Sequence, residues 1–113
     1  MKSVAAALLT LVALTAVPAQ ARPVVCSLTI ADRQVFAGGD CDFRAHGNDG
    51  SFQLTAPGGE YFVYVNMDGG GAAKGYWNGW ERASRAHDDL GTLTRDAADR
   101  ACWSNGYATV CAR

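Results

Sequence analysis

The chain has 113 residues, of which 19% are charged, with 10 Lys/Arg against 11 Asp/Glu and a formal net charge of −1. That balance, with the cations scattered and not clustered, argues against nucleic acid as a partner, which selects for a basic face, and against attachment to an anionic membrane surface. At this length the chain holds one small core, near the size where burial alone gives thin stability.

The first residues read as a leader. Met1 and Lys2 supply a positive start, Val4 to Val17 form an apolar run of about fourteen residues, and Pro18-Ala19-Gln20-Ala21 ends in a small-x-small cleavage pattern. A membrane span needs about twenty apolar residues, so this run is too short to cross. Residues 1–21 are therefore expected to be a signal peptide cut after Ala21, leaving 22–113 as a single domain. Cys26 follows Val25, where a lipid-anchoring motif needs a small residue, so no membrane insertion is expected after cleavage. Losing Lys2 leaves nine Lys/Arg against eleven Asp/Glu, a mature charge of −2. The expected location is periplasmic or secreted.

Four cysteines follow the leader, Cys26, Cys41, Cys102 and Cys111. An even count in a small exported domain predicts a disulfide framework. No Cys-x-x-Cys pair is present, which disfavours a zinc knuckle or a redox site. Of the three possible connectivities, the sequential one, Cys26–Cys41 with Cys102–Cys111, is preferred. Each bridge closes a short loop and contributes on the order of 2–3 kcal/mol.

From Val25 to Ile30 the chain alternates, with Cys26, Leu28 and Ile30 on one face, as in a half-buried strand. Asp32-Arg33 marks a turn, Gln34 to Ala37 reads as a short return strand, and Gly38-Gly39 breaks it. Asp40 to Ala45 alternates again with Cys41, Phe43 and Ala45 inward. His46 to Gly50 is a turn by composition. Ser51 to Thr55 buries Phe52 and Leu54, and Pro57-Gly58-Gly59 turns the chain into the run Glu60 to Met67, the densest strand-forming stretch. There Tyr61, Val63, Val65 and Met67 share one face and Phe62 and Tyr64 the other. Both faces are apolar, which predicts cover on both sides.

After Asp68 to Gly71, Ala72 to Trp77 returns with Ala73, Gly75 and Trp77 on one face. The glycine marks a bulge or a close approach, with Tyr76 and Trp77 expected to cover the gap. Asn78-Gly79 is a tight turn. Ser84 to Leu90 is the one plausible helical piece, with Ser84 as cap and Gly91 at the C-cap position. Two acidic residues at its far end oppose the helix dipole and limit it to a turn or two. Thr92 to Thr94 is strand-like, and Arg95 to Arg100 is a polar connection.

At the C-terminal end two signals conflict. Asn105-Gly106 as a two-residue turn would place Cys102 opposite Thr109, leaving Cys111 on the diagonal, too far for a relaxed bridge. A turn at Gly106-Tyr107 places Cys102 opposite Cys111, Trp103 opposite Val110 and Ser104 opposite Thr109. The bridge decides for the second register. The whole reads as an all-β fold, a small antiparallel β-sandwich or barrel of seven or eight short strands with one short helical turn and two disulfides.

Chemistry-bearing groups are few. His46 has Asp49 nearby and His87 has Asp88 and Asp89, pairs able to act as general bases, and Ser51 or Ser84 would have to supply a nucleophile. No nucleophile elbow supports a triad. Asp40, Asp42, Asn48, Asp49, Asn66 and Asp68 lie on Gly-rich loops without the spacing of a calcium loop. No cofactor, metal site or catalytic residue is assigned. The most functional-looking stretch is Gly75-Tyr76-Trp77-Asn78-Gly79-Trp80, followed by Arg82 and Arg85. Aromatic residues at an exposed turn stack on sugar rings or anchor protein interfaces, and the arginines suit carboxylates.

Size, leader, β-richness and two bridges resemble the small periplasmic lysozyme inhibitors. The Ser-Gly-x-x-Tyr motif of one such group is absent, since Ser104-Asn105-Gly106-Tyr107 has a different spacing, so the resemblance carries no residue over. The function expected is a small, non-catalytic binding protein that recognises a protein or an envelope glycan through Tyr76, Trp77, Asn78, Trp80, Arg82 and Arg85. The alternatives are inhibition of a lysozyme-like hydrolase and a small His–Asp hydrolase.

Overall fold

The computed structural model describes residues 22–113; the leader expected over 1–21 lies outside them. Eight antiparallel strands follow one another around a closed barrel: β1 (Arg22–Ile30), β2 (Arg33–Ala45), β3 (Phe52–Thr55), β4 (Phe62–Gly69), β5 (Ala72–Trp77), β6 (Asp88–Arg95), β7 (Cys102–Ser104) and β8 (Ala108–Ala112). Each strand pairs with the next and β8 pairs with β1, so the connections are all hairpins and the sheet has no terminal strand. Eight strands leave an interior just wide enough for side chains to fill. Leu28, Ile30, Leu54, Val63, Val65, Ala73, Trp77, Leu93 and Val110 fill it. Of the two architectures expected from the sequence, the barrel is the one formed.

Period-two alternation places these residues inside. In β1, Val24, Cys26, Leu28 and Ile30 are buried, and in β3 Phe52 and Leu54 are. The disulfides are Cys26–Cys41 and Cys102–Cys111. The second joins directly opposed residues, with Trp103 opposite Val110 and Ser104 opposite Thr109. The obligatory bridge therefore outweighs the Asn-Gly turn signal. Asn105 takes another part: its Oδ1 accepts from the Tyr107 and Ala108 amides (3.0 and 2.9 Å), and its Nδ2 donates to the Leu90 carbonyl of β6 (2.8 Å).

Four expectations are corrected. Gly38-Gly39 does not end a strand. β2 runs through it as a bulge, with Val24 opposite Cys41 but Cys26 opposite Gly38, and Gly38 and Asp40 take positive φ. The extra residues bend a strand long enough to wrap the barrel. Second, Ser84–Leu90 forms no helix: it is a loop that enters β6 at Asp88. A single turn cannot outweigh the burial of Leu90 and Leu93 inside the barrel. The Gly91 amide is taken by the Asp89 carboxylate at 2.6 Å instead of capping a helix.

Third, β4 is buried on its inner face only. Val63 and Val65 are enclosed, while Phe62 and Tyr64 stay half-buried on the outer wall. There Tyr64 stands opposite Tyr76 and beside His46, 5.6 Å between ring centres. Fourth, the nearest side chains over Gly75 come from β6, which the sequence did not single out. A Cβ there would lie 2.8 Å from Leu93 Cδ1 and 3.2 Å from Leu90 Cβ.

Candidate functional site

The up-and-down order gathers the β1–β2, β3–β4, β5–β6 and β7–β8 connections at one end of the barrel. The remaining loops and both ends of the described chain lie at the other. The two ends are built differently.

At the first end the chain folds over itself. Asn78 follows the last residue of β5 and is fully enclosed. Its Nδ2 donates to the Glu60 and Ala83 carbonyls (2.8 and 3.1 Å), and its Oδ1 accepts from the Phe62 amide (3.0 Å). One side chain thus ties the β3–β4 connection to the β5–β6 loop. The Ala83 amide donates back to the Asn78 carbonyl (2.9 Å), closing a tight loop in which Gly79 and Arg82 hold left-handed φ values of 78° and 57°. Trp77 lies beneath, 1% exposed, with its indole N–H lacking a hydrogen-bond partner.

Trp80 is set on this base. Its ring meets Trp77 edge-on at 5.2 Å and Tyr61 edge-on at 6.4 Å, and Tyr61 stacks on Trp77 at 6.2 Å. Arg33, at the start of β2, lies 4.1 Å over the Trp80 ring, and Arg82 lies 5.7 Å from the Tyr61 ring. Such guanidinium–ring contacts favour a fixed ring orientation. Trp80 remains 38% exposed. Arg82 also pairs with Glu60 at 2.7 Å, a hydrogen bond that holds its guanidinium pKa above the ordinary arginine value. Both partners are exposed, so the pair orients the loop more than it stabilises the fold.

The six residues singled out from the sequence therefore divide. Trp77 and Asn78 are enclosed and act as the platform. Trp80 and Arg82 present surface. Arg85 is exposed on the same loop, and its carbonyl accepts the His87 amide (3.0 Å). Tyr76 faces the outer wall opposite Tyr64, away from the cluster. Arg33 and Tyr61 join the surface from distant connections. No local pattern around Asp32-Arg33 marks that role, because it arises only when the barrel closes.

The second end is open. Phe43, Phe52 and Trp103 wall a cavity of about 130 Å³ with Ala112, and Arg95 and Arg100 stand at its rim. Phe43 and Phe52 stack at 5.1 Å, and the Arg95 guanidinium lies 5.0 Å from the Trp103 ring. Two of the loop carboxylates here are already occupied. Asp49 accepts from the Ser51 amide (2.9 Å), which together with the Ser51 hydroxyl lowers its pKa. Asp99 pairs with Arg113 and accepts from the Ala101 amide (3.2 Å), and it is lowered chiefly by the arginine.

The catalytic candidates do not assemble among the described residues. His46 Nε2 meets Gln53 at 3.3 Å, not Asp49, and the Ser51 hydroxyl accepts from the Met67 amide at 2.7 Å. His87 pairs with Glu81 at 2.6 Å, not with Asp88 or Asp89. The Glu81 carboxyl is lowered first by its own backbone amide and then by the His87 ring. Among the described residues no three His, Cys, Asp or Glu side chains converge on a metal-sized site, and no helix is long and apolar enough to cross a membrane. Comparison with protein-family models, curated proteins and solved structures finds no match.

Proposed function

We propose that the chain is a small, exported, non-catalytic binding protein that holds a protein partner against the Trp80 end of the barrel. The observation that carries this reading is the held but exposed indole of Trp80, packed on Trp77 and Tyr61 and flanked by Arg33 and Arg82. A large ring already fixed in place loses little conformational freedom on association, and Trp, Tyr and Arg are the residues that dominate interface energetics. A protein is favoured over an envelope glycan because Arg33 already covers a face of the indole that a sugar ring would need. Export is supported by the leader-like start, and the two disulfides suit an oxidising space.

The test is a comparison of capture from the source organism's extracellular or periplasmic fraction, using oxidised residues 22–113 as bait. A protein retained by the native domain and released by Trp80→Ala/Arg82→Ala, with circular dichroism unchanged, supports the site. Equal retention by the variant refutes it, and retention of glycan alone refutes the choice of partner. Inhibition of a lysozyme-like hydrolase, the specific form suggested by the architectural resemblance, would appear as loss of muralytic activity relieved by the same double substitution.

A further inference from the structure

We propose that the opposite, open mouth of the barrel binds an apolar group carrying a carboxylate, about one amino-acid side chain in size. The site is separate from the Trp80 surface and does not depend on it. Its walls are aromatic and its volume, about 130 Å³, approaches that of a cavity able to take up one benzene ring. The remaining lining residues Gly50, Ala101 and Ala112 carry the smallest side chains.

Charge selects the rest of the ligand. Arg95 and Arg100 both reach this cavity, and among the described residues neither has a carboxylate within ion-pairing distance. The acids of the adjoining 96–101 loop are engaged elsewhere: Asp99 by Arg113 and the Ala101 amide, Asp96 by the Ala98 amide at 2.9 Å. Two unpaired guanidinium forks beside an aromatic slot are complementary to a carboxylate with an apolar body, because the fork geometry accommodates both carboxylate oxygens. The ligand can be a free small acid or the last residue of a peptide chain, and the two share this chemistry.

Titration of the oxidised domain followed by amide NMR tests the assignment, with 3-phenylpropionate, its amide, and a short peptide ending in free phenylalanine as probes. The acid is expected to shift the Gly50, Ala101 and Ala112 amides and to bind about tenfold or more tightly than the amide, the loss that follows removal of a charged hydrogen-bond partner. Arg95→Gln/Arg100→Gln, at two exposed positions, should abolish the difference between acid and amide while the melting curve stays unchanged. Tighter binding of the peptide than of the free acid identifies a chain end as the ligand, and the reverse identifies a small acid. Equal binding of acid and amide, shifts confined to the Trp80 end, or an acid preference that survives loss of both arginines would each overturn the proposal.

Discussion

The two ends of this barrel solve the same problem, closing a tube of eight strands, in opposite ways. At the Trp80 end one buried amide, Asn78, satisfies three backbone groups from two connections, and the Trp77, Tyr61 and Trp80 rings pack on one another. At the other end, apart from the Ser51 hydroxyl on the Met67 amide, the side-chain bonds to the backbone are short-range. Asp49 bonds to Ser51, Asp96 to Ala98 and Asp99 to Ala101, each two residues along the chain, and a cavity is left between Phe52 and Trp103. Asn78 joins two connections at the sealed end, whereas aspartate turns shape the open one, where the Ser51–Met67 bond and the Asp99–Arg113 pair supply the longer ties. The contrast shows how a chain with a minimal core ties one end together without filling the other.

Substitutions should separate the ends. Asn78→Ala strands two carbonyls and an amide at once, and at ~1–3 kcal/mol for each unsatisfied buried group it should cost ~3 kcal/mol or more, read as a fall in the urea midpoint. That is a large part of the stability of a domain of this size. Gly75→Val forces side-chain atoms against Leu90 and Leu93 and should cost about 2–3 kcal/mol by overpacking. Replacing Cys102 and Cys111 together by Ala should cost about 2–3 kcal/mol, with the β7–β8 hairpin loosening first, seen as faster exchange of the Ala108 and Val110 amides.

Arg95→Gln/Arg100→Gln at the open mouth should change stability by no more than about 0.5 kcal/mol, as exposed substitutions do. The smallest effect is that of acid. Asp49 and Asp99 at the open end, and Glu81 in the loop at the other, have lowered folded-state pKa values, so their contribution is complete above the ordinary carboxylate range. It is lost as pH falls below about 4 through those lowered values. NMR at falling pH should therefore show the 46–51 and 96–101 loops loosening while the Phe62 amide stays protected. Loss of Phe62 protection over the same pH range would remove the distinction.

Much of the barrel was legible in the sequence because its signals were local. Alternation placed Cys26, Leu28 and Ile30 inside, and a covalent constraint fixed the β7–β8 register against the stronger turn signal. Errors arose where a tertiary demand overrode a local pattern. The Ser84–Leu90 segment has a capping serine and a trailing glycine, yet Leu90 is needed over Gly75, so the segment enters a strand. Gly38-Gly39 looks like a break, yet barrel curvature uses it as a bulge. The two-sided apolar run of β4 implied cover that a single-layer barrel cannot give its outer wall. The candidate surfaces followed the same division. Trp80 and Arg82 were visible as neighbours in sequence. Arg33 and the mouth residues Phe43, Phe52, Arg95, Arg100 and Trp103 come from separate strands and connections, and only closure of the sheet brings them together.

The most direct measurement of the asymmetry is native-state amide hydrogen exchange resolved by residue. Phe62, whose amide is held by Asn78, should exchange only through global unfolding and belong to the slowest class. The Ser51, Ala98 and Ala101 amides, held by aspartates two residues away, should exchange orders of magnitude faster by local opening. Exchange of Phe62 as fast as that of Ser51 would contradict a rigid, pre-formed platform beneath Trp80.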